Sequence, residues 1–342
     1  PWTSLAFLLG ALGAAIMLSG ALTRFIGLQL DSPDFLYTPL RGLMDFPMIG
    51  LQAFVLVFPS AFVLGLMFPT ALRLSGDDAA AVGRLYAWNT VGAVAGSLAC
   101  GFWGISLLGG HACLLGLGLL AAASSFAAAA FARRREAWAA AGGFAALTAA
   151  FLAYGSADPA VDILVNRLKA AREPDPRVLF HDESPAAGIV GIESGANRTL
   201  FINGIATSGR GRVGELMALI PNLAVAEPAT TLVICFGAGN TFRAASRLGT
   251  AVDGVELVAD VVRRMPAYYD DAAAVLGRPG NRVFIEDGRS HLLRSRKRYD
   301  AIIVDAAPPL YSAGAVNLYT REFLELAREH LTDEGVFTLW LP

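Results

Sequence analysis

Residues 230–305 contain four short apolar runs, and an acidic residue stands at or just past the end of three of them. The first run, TTLVICF, turns through Gly237-Ala238-Gly239-Asn240 into TFRAASRL. The second, Ala251 to Leu257, carries Glu256. The third, RVFIE, is followed at once by Asp287-Gly288. The fourth, YDAIIVD, ends on Asp305. Short runs rich in β-branched residues, spaced by helical stretches, predict strands of an open parallel sheet. The carboxyl ends of such strands share one edge, and ligands bind there.

The residues at that edge suggest a chemistry. Glycines let a ligand approach the backbone, and a helix that follows offers free N–H groups. A carboxylate about 20 residues further on, where Glu256 stands, is placed to bind ribose hydroxyls. A dinucleotide would fit, but the turn is only G-x-G and lacks the third glycine. An adenosyl cofactor with a sulfonium fits better: it has no pyrophosphate to cradle, and carboxylates favour its charge. The plain alternative is that the strand-end acids are solvated helix caps.

Charge divides the chain. Only 13 of its 56 Asp, Glu, Lys and Arg fall in residues 1–155. Runs at 4–22, 47–68, 88–108, 111–131 and, more weakly, 137–154 are long enough to span a bilayer. Residues 23–46 and 69–87 are expected as polar loops. The small-residue spacings Gly92/Gly96 and Ser97/Gly101 predict close helix packing. No charge lies well inside a span, so a carrier function is not supported. Arg133-Arg134-Arg135 belongs on the cytoplasmic side. Five full crossings would then put the following domain outside, whereas an adenosyl cofactor is made in the cytosol. A cytosolic domain is the expectation, with an inner-membrane location and the side left open.

The net charge of −2 gives no nucleic-acid footprint. Cys100, Cys113 and Cys235 show no metal spacing, and no metal is expected. Cys235 is read as part of a buried strand. The chain starts inside an apolar run and stops after a fifth strand, so both ends are expected to be truncated. The expected division is a helical membrane domain at 1–155, a linker helix with a small antiparallel β unit at 156–228, and a nucleoside-binding domain at 229–342. In the second part a helix over 161–172 ends at Pro174, and RVLFHD, GIVGIES and RTLFING form the β unit. After Asp305, AAPPLYSAGAVNLYT is a loop of the kind that gates substrates. Thr320 caps a helix whose Leu324, Leu326, Ala327 and Leu331 should face the sheet. His181, His291 and His330 are expected at the surface, Tyr268 and Tyr269 in packing. The basic run 294–298 is read as a solvated face that could meet anionic lipid.

FPTALRL, GRLYAWNTVGAVAGSL, LVICFGAGNT, VDGVEL, FIEDGR, YDAIIVDAAPP and LYTREF together resemble the spermidine synthase-like proteins fused to a membrane domain, of the polyamine aminopropyltransferase family. The resemblance covers most of the chain from residue 47. It implies a multi-span helical domain followed by a Rossmann-like, methyltransferase-type α/β domain with a small β-hairpin unit before it. It also implies transfer of an aminopropyl group from decarboxylated S-adenosylmethionine to an amine. By that likeness Gly237, Gly239 and Asn240 belong to the cofactor turn, and Glu256 binds ribose. Asp287, with Gly288, lies near the adenine amine, and Asp305 is the catalytic base. An amine must be neutral to attack carbon beside a sulfonium, so a base there helps.

This chain departs from the family pattern at the acceptor half of the site. Ala238 and Pro308 stand where the soluble synthases carry Asp. Ala186-Ala187 replaces Tyr-Gln, and Val213-Gly214 replaces Tyr-His. Loss of paired carboxylates weakens binding of a dication. Two other readings therefore stay open: a methyltransferase-like enzyme using S-adenosylmethionine itself, and a non-catalytic nucleoside-binding module. The partners expected are a small-molecule acceptor and the lipid bilayer, with homo-oligomerisation open.

Overall fold

Apolar runs too long for a globular core become helices in the computed structural model, which describes residues 1–26, 39–75, 78–154, 158–209, 211–306 and 314–341. The chain forms two compact units, Pro1–Glu173 and Pro174–Pro342. The first contains α1 (Trp2–Ile26), α2 (Pro39–Ser75) and α3 (Ala79–Leu98). A π-helical stretch, Ala99–Gly104, joins α3 to α4 (Ile105–Leu108), and α5 (Gly110–Ala132), α6 (Arg135–Tyr154) and α7 (Pro159–Ala170) follow. Among the described residues five segments are long and apolar enough to cross a membrane by length and composition: Trp2–Leu22, Ala53–Leu74, Ala79–Leu108, Gly110–Ala132 and Arg135–Ala153.

Two expectations fail in this unit. Of the stretch 69–87 expected as a loop, 69–75 and 79–87 are helical, and 76–77 lie outside the described residues. Helix α2 runs on to Ser75, and α3 starts at Ala79 because the Asp78 carboxylate accepts from the backbone N–H of Ala80 and Ala81. Alanines and arginines with good helix propensity keep the polar stretch helical. Of the other expected loop, 27–38 lies outside the described residues, and α2 already includes 39–46. The small-residue packing also lies elsewhere. Among the described residues nothing comes within 4 Å of a Cβ placed at Gly92, Gly96 or Gly101. Close approach occurs between α1 and α5 instead: a Cβ at Gly13 would lie 2.9 Å from the Gly118 carbonyl oxygen. Nearby, the Ser125 hydroxyl donates to the Ala6 carbonyl at 2.6 Å in a buried position.

The second unit opens with an antiparallel sheet in the order β1-β2-β3-β4: β1 (Arg177–Glu183), β2 (Gly188–Ser194), β3 (Asn197–Ile202) and β4 (Ile205–Gly209). Then come α8 (Arg212–Ala224), β5 (Thr230–Ile234), α9 (Asn240–Arg247), β6 (Ala251–Glu256), α10 (Ala259–Arg263) and α11 (Ala272–Leu276). The chain continues through β7 (Arg282–Ile285), α12 (Gly288–Arg294), β8 (Tyr299–Val304), a 3₁₀ turn at Ala315–Tyr319, α13 (Arg321–Glu329) and β9 (Leu331–Leu339). The second sheet is parallel, ordered β7-β6-β5-β8-β9.

Both faces of this sheet are covered, so its strands read as continuous apolar runs. Val233 and Ile303 point into a core shared with Phe236, Phe242, Val261, Met265 and Tyr268. Leu232, Ile234, Ile302 and Val304 point the other way, against Leu292, Leu318, Phe323 and Ala327. On α13 the inward stripe is thus Phe323 and Ala327, one helical turn apart, with Leu326 at its flank. Leu324, expected inside, is exposed.

Candidate functional site

The first sheet order change falls at β5, which has β6 on one side and β8 on the other. The chain leaves β5 through a turn with three left-handed residues: Cys235 (φ 67°), Gly237 (φ 55°) and Gly239 (φ 85°). Cys235 is therefore in the turn, not in the strand. Gly237 has a second constraint, since a Cβ there would lie 2.9 Å from Ser208 Oγ. Ser208 belongs to β4, and its hydroxyl accepts from the Ala238 N–H at 3.1 Å. The small sheet thus braces the glycine turn.

The neighbouring strand ends are tied to the same turn. Cys235 N–H donates to the Val255 carbonyl, and Asp305 N–H donates to the Ile234 carbonyl, each at 3.0 Å. Glu256 closes β6, nearly buried. Its Oε2 accepts from Gly237 N–H at 3.2 Å and its Oε1 from Val258 N–H at 3.1 Å. Burial pushes its carboxyl up, opposed by N–H groups of Val258, Gly237, Leu257 and Phe236. Asp305 is also raised by burial, opposed by the Thr241 hydroxyl, which donates to Oδ2 at 2.9 Å.

Glu256, Asp287 and Asp305 stand at the ends of β6, β7 and β8, and all three are within electrostatic reach of Cys235. Burial, then the charges of Glu256, Asp305 and Asp287, drive the Cys235 thiol far above its ordinary value. A thiol held neutral this way is no nucleophile. Tyr319 sits at the same rim: its phenol is raised by burial and by Cys235 and Asp305. The Tyr319 hydroxyl lies 3.2 Å from the Ala306 carbonyl and 3.1 Å from that of Trp340, so one donor bridges the ends of β8 and β9.

Three of the residues expected to touch a cofactor have other contacts. The Asn240 side chain is buried and donates to the Gly211 carbonyl at 2.6 Å. The Asp287 carboxylate caps α12 through Ser290 N–H at 2.8 Å, which is the helix-cap reading of that acid. Gly288 gives α12 its close packing, because a Cβ there would sit 2.4 Å from Ile234 Cγ2. Gly288→Val is expected to cost about 1–3 kcal/mol through overpacking. Urea unfolding of the full chain in detergent measures it.

Three residues at the rim escaped the sequence reading: Ser208, Thr241 and Tyr319. Hydroxyls carry no charge and no spacing rule, so only the fold identifies them. Pro308, and the stretch 307–313 read as a gate, lie outside the described residues. His291 and His330 are buried, contrary to expectation. His291 Nδ1 lies 2.6 Å from Glu286 Oε1, and His330 Nδ1 lies 2.9 Å from the Lys297 carbonyl. The basic run is largely engaged: Arg294 pairs with Glu286, Lys297 with Asp253 and Arg298 with Asp333. Tyr268 and Tyr269 are buried packing residues, with Arg243 over the Tyr269 ring. Among the described residues no cluster of His, Cys, Asp or Glu could hold a metal.

A doubly wound sheet with a tight glycine turn and acids at its strand ends defines a class: open α/β domains, whose ligands bind at the carboxyl edge. Comparison with known proteins narrows it. Residues 211–340 match the family described as the spermine/spermidine synthase domain. The chain is 34% identical over 130 residues to a polyamine aminopropyltransferase of Pyrobaculum calidifontis, covering 36% of this chain and 43% of that protein. It is 31% identical over 148 residues to polyamine aminopropyltransferase 2 of Pseudomonas aeruginosa, covering 41% and 42%. It is 29% identical over 167 residues to the Moorella thermoacetica enzyme of the same name, covering 47% and 58%. The chain thus spans about half the length of the curated relatives it matches. A solved spermidine synthase in complex with the transition state analogue AdoDATO superposes with TM-score 0.44 at 21% identity, covering 48% of this chain and 57% of that one.

Proposed function

We propose that this chain is a membrane-anchored spermidine synthase-like transferase, moving an aminopropyl group from decarboxylated S-adenosylmethionine to an amine, with Asp305 as the base. The observation that carries this reading is the row of Glu256, Asp287 and Asp305 at the ends of three neighbouring parallel strands, beside a left-handed glycine turn, inside the stretch that matches the synthase domain. The rim suits a cation. Glu256 would receive the ribose, and Asp287, with Gly288 behind it, would stand toward the adenine. Gly237, Gly239 and Asn240 shape the turn.

In the step itself the neutral amine attacks the carbon next to sulfur. A carbon–nitrogen bond forms, the carbon–sulfur bond breaks, and the sulfonium leaves as a neutral thioether. The amine proton passes to Asp305. A carboxyl raised by burial is a stronger base than an ordinary aspartate. The five apolar segments would hold the chain in the inner membrane, and Arg133–Arg135 favour the cytosolic side for the basic end of α5.

Calorimetry and turnover assays on the purified full chain test the proposal, using decarboxylated S-adenosylmethionine, S-adenosylmethionine and putrescine. Binding of the decarboxylated form with turnover of an amine supports it. Preference for the carboxylated form favours a methyltransferase-like enzyme. Binding without turnover of any amine favours a nucleoside-binding module.

A further inference from the structure

We propose that Thr241 is a positioning residue: its hydroxyl locks the Asp305 carboxylate and holds it ready to accept a proton through the other oxygen. This inference rests on the transfer reading above for its purpose, but not for its geometry. Thr241 is buried in the first turn of α9, and its Oγ1 donates to Asp305 Oδ2 at 2.9 Å. One carboxylate oxygen is thus fixed by α9, and in this proposal Oδ1 is the oxygen that takes the proton.

The contact is built by three elements. β8 ends at Val304, and Asp305 N–H is anchored to the end of β5. The glycine turn then sets the start of α9 beside it. From the third side α8 closes on the pair at Gly214, where a Cβ would lie 3.0 Å from Thr241 Oγ1 and 2.6 Å from Asn240 Nδ2. A side chain at 214 would push the hydroxyl off the carboxylate. Among the described residues Asp305 acts on Cys235 after β5 and Tyr319 before α13, and Glu256 and Asp287 act on the same thiol. None of these is a cation. The Thr241 hydroxyl is therefore what offsets the cost of burying the Asp305 charge.

The sign follows. A hydrogen bond to the ionised form lowers a carboxyl pKa, so its loss raises it. A bond of this kind to a charged group corresponds to about one pH unit. The test uses the full chain in detergent with ¹³Cγ-labelled aspartate, the Asp305 resonance being assigned by its absence in Asp305→Asn. Thr241→Val should raise the Asp305 titration midpoint by about one pH unit. Thr241→Ser should restore the wild-type midpoint. In turnover assays the acid limb of the kcat profile should move up with Val and return with Ser. An unmoved midpoint in Thr241→Val, or a Ser variant shifted as far as Val, overturns the proposal. Thr241→Ala gives the same readout if the valine variant does not fold. Absence of turnover with every amine would count against the transfer reading, while the titration would still decide the role of Thr241.

Discussion

Asp305→Asn is expected to reduce kcat for aminopropyl transfer by about 10²–10⁴-fold, the usual contribution of a positioned base. Nucleoside affinity should change only a few-fold. The amide keeps the shape of the carboxylate and can still accept from Thr241, so the rim is not rebuilt. Glu256, the proposed ribose partner, is untouched, held by Gly237 and Val258 N–H groups. What disappears is the capacity to take a proton. Because burial raises the Asp305 carboxyl, wild-type kcat should fall on the acid side at a pH above the ordinary aspartate value of about 3.9. The asparagine variant should lose that limb. Steady-state kinetics across pH, with calorimetry of the nucleoside, checks both halves. Unchanged turnover would remove Asp305 from the chemistry.

Asp253→Ala is expected to cost about 2–4 kcal/mol of stability at neutral pH. Asp253 lies in the middle of β6 at 1% exposure, beneath the sheet rather than at its rim. Its carboxylate accepts from Arg282 at 3.1 Å, Lys297 at 2.9 Å and the Tyr299 hydroxyl at 2.9 Å. Removing it leaves the buried Tyr299 hydroxyl without its acceptor. The two cations are partly exposed and can turn to water, which limits the loss. Burial pushes the Asp253 carboxyl up, but hydrogen bonds from Arg282, Lys297 and Tyr299 outweigh it and hold the group below its ordinary value. A depressed carboxyl stabilises the fold above its unfolded pKa and loses that contribution as pH falls through the folded one. The gap between wild type and variant in urea unfolding should therefore be full above about pH 5 and shrink below about pH 4. A gap that does not depend on pH would show that packing, not charge, holds this position.

The sequence exposed the parts of this fold that have a strong period or a charge. The four runs of the parallel sheet are unbroken because both faces are buried, and their acids stand out against apolar neighbours. β4 was missed since IATSG has no apolar run, its pairing being supplied by β3. The continuation of α2 through Arg73 was missed because polarity was read as a loop, while the helix end is fixed by the Asp78 cap. At the sheet edge, the places of Glu256 and Asp305 at the ends of β6 and β8 are legible from the apolar runs alone. Asn240 and Gly288 occupy motif positions, yet one clamps Gly211 and the other makes room for Ile234. Such contacts are long-range, and no local pattern announces them.

Under the proposed transfer, the acids whose charges act on Cys235 would bear on turnover order. Like charges at one sheet edge repel one another, and a guest bearing positive sulfur would quiet that repulsion. Once transfer had turned the sulfur into an uncharged thioether, the guest would no longer do so. The edge would then hold the donor firmly and let go of its spent form, with no moving part required to tell them apart.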